Sequence, residues 1–322
     1  NYFLDVSFEK MLEIKGDSDH TKLIDMLTDL NDYSIGIEDV LKEHFDEENI
    51  VYWMAFQILM GNVDTQNRNV YLYSPLNSDI WYFIAWDNDG CLMRPEYELR
   101  NFSDQNSWEK GISNYWGNIL FQRCLKSRSF REKLNDAILD LREYLNKDML
   151  TSKIESYKNV LKPYLYLMPD AEYEPLTSEQ YDQIAASLPD EIEKNYQLYL
   201  ESLETPMPFY IGVPTIDGDK LKFNWDVSYD LDAEDITYSV EVAGDYLFRD
   251  VIYQNTTLTV PEAEMDLPKA GQYFVRVRAT NTSGKTQDAF DYYVTDEGKY
   301  YGMRCFYITE DSTVEEDDYE EG

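Results

Sequence analysis

The stretch Gly61-Asn-Val-Asp64-Thr-Gln-Asn-Arg68-Asn69-Val-Tyr-Leu-Tyr73, with Trp81-Tyr-Phe-Ile-Ala-Trp86-Asp87-Asn-Asp89-Gly90 just after it, decides the fold of this chain. Upstream, Glu47 to Met60 carries Ile50, Val51, Met54, Phe56, Ile58 and Leu59, and predicts an apolar helix. Val70–Tyr73 and Trp81–Trp86 are short aromatic and β-branched runs, with Pro75, Asn77, Ser78 and Asp79 between them. That pattern predicts a β-hairpin. Its second strand runs straight into an acidic turn, Asp87-Asn-Asp89-Gly90.

A hairpin brings the chain back to near its start. Asp64 in the first loop is thereby expected to meet Asp87 and Asp89 at one end. Carboxylates with a carboxamide, Asn69, make a hard oxygen site suited to Mg²⁺ or Ca²⁺. Protein kinases have a similar layout: Asp-x-x-x-x-Asn, a short hairpin, then a metal-binding Asp. Here Asp64 and Asn69 keep that spacing, and Asp87 stands where the second Asp belongs. Two departures are visible: Asn62-Val63 replaces the usual His-Arg, and Asn88 replaces the usual Phe. Asp-Asn-Asp-Gly is also an ordinary turn sequence.

The whole stretch resembles the spore coat protein H (CotH) kinase-like family. The resemblance rests on Asn62-Val-Asp64, Asn69-Val-Tyr-Leu-Tyr73 and Trp86-Asp-Asn-Asp89, and covers roughly residues 46–203. It implies an atypical kinase that uses Mg²⁺ and ATP to phosphorylate protein hydroxyls in a secreted, cell-surface or spore-coat setting. On that resemblance Asp64 is the catalytic residue, orienting the acceptor hydroxyl and accepting its proton. Asn69 and Asp87 are the Mg²⁺ ligands, with Asp89 a second or outer ligand. Arg68 joins Asn69 and Asp87 on the nucleotide side. Ca²⁺ is the alternative ion.

Composition sets bounds. The 322 residues suffice for two domains. With 63 acidic against 28 basic residues the net charge is −35, which argues against nucleic acid and anionic membranes as partners. The same charge serves solubility. Three distant cysteines, Cys91, Cys124 and Cys305, make neither a disulfide framework nor a zinc site. His20 and His44 fall on polar helical segments and are expected in solvent. No apolar run is long enough for a membrane span. No signal peptide appears at the start, where the chain opens mid-pattern.

Outward from the central stretch the chain reads as helical. Phe3, Leu4, Phe8, Met11, Leu12 and Ile14 form one stripe; Thr21–Leu30 forms a second, with Asp19 as N-cap; Ile37, Val40, Leu41 and Phe45 form a third. Arg94 and Arg100 follow the acidic turn, and are expected either to face phosphate oxygens or to pair with Glu96 and Glu98. Ser113–Lys126, Ser129–Leu145 and Asp148–Met168 are amphipathic. Thr177-Ser-Glu-Gln180 is a capping box opening a helix to about Leu188, and Pro189 predicts the first turn of another reaching Leu203.

At Thr205-Pro-Met-Pro208 the period changes to two. Seven short strands are expected, among them Leu221–Val227, Ile236–Val242 and Gly271–Thr280, packed as a β-sandwich with Trp225 and Tyr273 buried. Trp225, the Tyr238-Ser-Val-Glu-Val run and Gly271-Gln-Tyr273-Phe-Val-Arg-Val-Arg-Ala279 resemble a fibronectin type III module, usually a spacer or adhesive surface. The expected class is a multi-domain α+β chain. It has a mainly α-helical kinase-like large lobe with a small hairpin (residues 1–204). An all-β immunoglobulin-like or fibronectin type III sandwich follows (205–298), then an extra strand and an acidic tail (299–322). Asn101, Asn255 and Asn281 head glycosylation sequons that are read as chance.

No strand-rich small lobe with its phosphate-covering loop and Lys is legible before Asp46. The family resemblance places it upstream. Nucleotide binding by these residues alone is therefore expected to be weak, and two classes stay open. One is a kinase acting on a protein substrate; the other is a catalytically inactive surface, coat-assembly or adhesion protein.

Overall fold

The computed structural model describes residues 19–66, 69–99, 108–174, 176–295 and 298–316. The stripe beginning at Phe3, Arg68, Arg100, the Asn101 sequon and the last residues of the acidic tail lie outside these.

The helical part is built round α3 (Glu47–Met60). Asp46 caps it, accepting from the Asn49 N–H at 2.9 Å, and Gly61 ends it in the left-handed conformation at φ 59°. Ile50, Met54, Ala55 and Leu59 on α3 are fully buried, so the helix is apolar all round and must be enclosed. Each such side chain contributes about 1.5–3 kcal/mol relative to exposure. The enclosure is α6 (Arg128–Tyr144), α8 (Ser178–Leu203) and the hairpin strand β2 (Tyr82–Ile84). Trp53, Phe83 and Phe121 stack across it with ring centroids 4.7–5.9 Å apart. β2 pairs antiparallel with β1 (Tyr71–Tyr73), Leu72 opposite Phe83, as the two aromatic and β-branched runs predict.

Around this centre lie α1 (Thr21–Asn31), α2 (Ile37–His44), α4 (Arg94–Leu99), α5 (Ile119–Lys126) and α7 (Lys147–Leu165). Buried Arg123 of α5 donates to the Leu30 carbonyl, an acceptor that the end of α1 leaves without a helical partner, and to the Ile35 carbonyl in the connection to α2.

The strands after Thr205 form two sheets. One holds β3 (Thr215–Asp217), β4 (Lys220–Asn224) and β7 (Glu262–Asp266). The larger runs β13 (Val314–Glu316), β12 (Met303–Ile308), β8 (Gly271–Asn281), β5 (Ile236–Ala243), β6 (Val251–Leu258), with β9 (Thr286–Asp288) beside β8. Leu221 and Phe223 of the first sheet share one core with Val240, Val242, Val275 and Val277 of the second. A separate hairpin, β10 (Tyr292–Thr295) with β11 (Gly298–Tyr301), leans toward the helices. The class is α+β, helices first and strands after.

Several expectations need correction. Asp19 binds the Thr21 N–H at 2.9 Å, yet the cap position itself is His20. His44 is buried, because Asp29 on α1 meets its Nε2 at 2.8 Å and replaces the lost hydration. The expected helix from Ser113 is a single 3₁₀ turn, Ser113–Tyr115, broken before Asn118 restarts the chain as the cap of α5. Pro189 does not separate two helices: α8 runs through it. Ala185, Pro189, Ile192 and Tyr199 are buried, and this packing outweighs the roughly 3 kcal/mol an interior proline costs. The capping box at Thr177 and Gln180 is present. Trp225 is buried. Tyr273 is only half-buried, since its ring stacks on Phe306 while its hydroxyl reaches out to the Lys269 carbonyl at 2.8 Å.

Candidate active site

Both acidic loops lie at the C-terminal end of α3. The first turns immediately after Gly61 into a 3₁₀ turn, Asp64–Gln66. The second, Asn88–Gly90, follows β2 and returns to α3 through the Leu92 N–H, which donates to the Met60 carbonyl at 2.8 Å. A carboxamide cluster ties them. Asn62 donates to Gln57 Oε1 at 2.9 Å and to Asn88 Oδ1 at 3.4 Å, and Gln57 donates to the same Asn88 oxygen at 3.1 Å. Gln57 and Asn62 are buried, so these bonds replace water the groups have lost. Asn62 Oδ1 accepts the Asp64 N–H at 3.3 Å. Its carbonyl accepts from the Thr65 and Tyr115 hydroxyls at 3.3 and 3.4 Å.

The result brings Asp64, Asp87 and Asp89 together. A side chain at Gly90 would strike Asp64 Oδ2 at 2.8 Å. The Asp87 carboxyl is held above its usual value, first by the charge of Asp89, then by lost hydration, by a hydrogen bond with Asp89, and by the charge of Asp64. Cys91, next in the chain, is pushed up to about 12 by burial and then by Asp89 and Asp64. All three carboxylates are exposed. Among the described residues no basic side chain pairs with any of them.

The backbone here is strained. Of six non-glycine residues with positive φ among the described residues, Asn69 (52°), Asp87 (49°) and Leu92 (57°) flank this site. Each costs about 1–3 kcal/mol, least for Asn and Asp, and such strain gathers at functional sites.

Asn69 lies two residues before β1, and no hydrogen bond joins it to the three carboxylates among the described residues. Arg94 does not pair with Glu96 or Glu98. It bonds Glu191 Oε2 at 3.2 Å and Asn195 Oδ1 at 2.6 Å on α8. Glu191 is fully buried, which explains why Arg94, at the start of α4, is drawn to it. Sequence reading missed Gln57, Asn88, Glu191 and Asn195 as parts of this frame. Only the polar Gln57 within an apolar run signalled one of them.

The donors are hard oxygens. Among the described residues no three His, Cys, Asp or Glu side chains form a ready metal cage. Mg²⁺ with a nucleotide needs only one or two carboxylates, its shell completed by water and phosphate. The Asp87–Asp89 turn fits that demand better than the larger oxygen set of Ca²⁺.

The sequence matches the family described as "CotH kinase protein" over residues 5–199, more than half of the chain. The chain belongs to that family. Its members are kinase-like proteins, and the acidic loops lie inside the matched region. Comparison with curated proteins returned no match. Among solved structures, surface layer protein SbsC, domains 1–6, aligns at 11% identity over 94% of this chain and 39% of that one. Its TM-score of 0.17 gives it no weight here. No helix among the described residues is long and apolar enough to cross a membrane.

Proposed function

We propose that this protein is a CotH-type protein kinase that transfers a phosphoryl group from Mg-ATP to a protein hydroxyl. The observation that carries the reading is the meeting of Asp64 with the Asp87–Asp89 turn at Gly90. Bound Mg-ATP supplies the phosphoryl group and neutralises its developing charge. Asp87 and Asp89 are the residues that would hold the ion, with Asn69 and Arg68 on the nucleotide side. Exposed Asp64 orients the acceptor hydroxyl and takes its proton. Asn62 Oδ1 accepts the Asp64 N–H, which positions the carboxylate without burying it. Clustered carboxylates repel one another until a cation joins them, and the charge of Asp89 is the first cause of Asp87's raised value.

A secreted, cell-surface or spore-coat setting accords with the family and with the −35 charge. The two-sheet packing beyond residue 205 supports a fibronectin type III-like module, with β12 and β13 continuing its larger sheet. The test is Mg²⁺-dependent labelling of an acceptor protein from γ-labelled ATP, wild type against Asp64→Asn. Loss of about 10²-fold or more in the variant is expected for a positioned base. Equal labelling removes Asp64 from the mechanism.

A further inference from the structure

A cavity of about 50 Å³ opens beside the carboxylates. It is lined by Val63 and Gly90 from the two acidic loops, by Arg94, and by the run Glu109-Lys110-Gly111. That run forms one wall of the cavity, with Gly90, whose neighbour is Asp64, in another. The helical part holds its far end, where Gly111 lies against Leu198 and Ser202 and the Ile112 N–H donates to Ser202 Oγ at 3.0 Å.

The near end is held by the β-rich part. The buried Trp108 indole donates to the Phe290 carbonyl at 3.0 Å, and its ring meets Phe290 edge-on at 5.0 Å. Both oxygens of Glu109 are taken up by β11: Lys299 Nζ lies 2.8 Å from Oε1, and the Tyr301 hydroxyl donates to Oε2 at 2.6 Å. The Lys299 ammonium also sits over Tyr292 at 4.2 Å and Tyr301 at 4.8 Å, where ring faces attract it. The Glu109 side chain is only 15% exposed, so these charge-assisted bonds are shielded from water.

We propose that Lys299 and Tyr301 are positioning residues for the acceptor side of the candidate active site. The β-rich part is then a working wall of the kinase-like unit and not a detachable spacer. Through Glu109 they fix Lys110 and Gly111, and with them the shape of the cavity beside Asp64. The inference deepens the kinase reading, and rests on it only for its kinetic consequence.

The experiment uses the full-length protein with Tyr301→Phe and Lys299→Met. Tyr301→Phe keeps the ring and removes only the hydroxyl, so it reports even where Lys299→Met fails to fold. Lys220→Met, which breaks an exposed ion pair with Asp266 elsewhere in the β-rich part, is the control. Backbone hydrogen exchange at residues 109–112 is expected to quicken about tenfold or more in both variants and not in the control. KM for an acceptor protein should rise about tenfold while kcat falls less than threefold. Unchanged exchange at residues 109–112 overturns the proposal. Quickened exchange in a protein that transfers no phosphate supports the anchor and counts against the kinase reading alone.

Discussion

Gly90 lies against Asp64 so closely that a methyl group there would come within 2.8 Å of Oδ2 and 3.0 Å of Asn62 Oδ1. The nearest atom is the tip of an exposed side chain, which can move aside cheaply. Buried Asn62 Oδ1 must also yield by a few tenths of an ångström, so Gly90→Ala should lower thermal stability only slightly. It should displace the Asp64 carboxylate, and a shift of about 1 Å at such a group costs on the order of 10²-fold in rate. Calorimetry with phosphate-transfer assays on the same preparation checks both halves.

Asn62 bridges the two acidic loops, and the bridge is buried. Asn62→Ala removes the partner of the Gln57 amide oxygen and the anchor of the Asp64 N–H. Leaving buried polar groups unpaired costs about 1–3 kcal/mol each. Urea denaturation should show a loss in that range, larger than for Gly90→Ala. A change within a few tenths of a kcal/mol would mean the loops hold without the bridge.

The Asp87 carboxyl titrates above its usual 3.8, chiefly because of Asp89. A raised folded-state value means the charged form is disfavoured on folding. Its contribution to stability is present below 3.8 and is lost as pH rises through the raised value. Mg²⁺ competes for the same carboxylate, so its affinity should rise over the same interval. Asp89→Asn should lower the Asp87 titration midpoint toward the ordinary value. Carbon-detected NMR of the side-chain carboxyl follows it; an unmoved midpoint would assign the shift to another cause.

Much of this was legible in the sequence for physical reasons. The hairpin showed in the aromatic and β-branched runs Val70–Tyr73 and Trp81–Trp86 with turn residues between them, and the change to strands showed in the switch of period after Pro208. Asp64, Asp87 and Asp89 could be paired because a hairpin must return the chain. What stayed hidden depends on long-range partners. His44 looked polar and exposed until Asp29 was found opposite it. Pro189 looked like a boundary because the packing of α8 against α3 has no local signature. The hold of β11 on Glu109 joins residues 190 positions apart, a separation no periodicity encodes.

Arg94 links the start of α4 to α8 through buried Glu191. Arg94→Met should destabilise by about 1–3 kcal/mol, less than a fully buried pair, because Lys194 still meets Glu191 at 2.6 Å. Arg94→Lys should recover part of that loss by denaturant titration. It cannot reproduce the forked contact to Glu191 and Asn195.

The central claim is that Asp87 and Asp64 work in phosphoryl transfer. The most direct measurement is incorporation of γ-labelled phosphate by the full-length protein and by Asp87→Ala, with and without Mg²⁺. The account predicts Mg²⁺-dependent labelling of wild type and a fall of about 10²-fold or more in the variant. Equal labelling of the two proteins, or none in wild type with Mg²⁺ present, would contradict it.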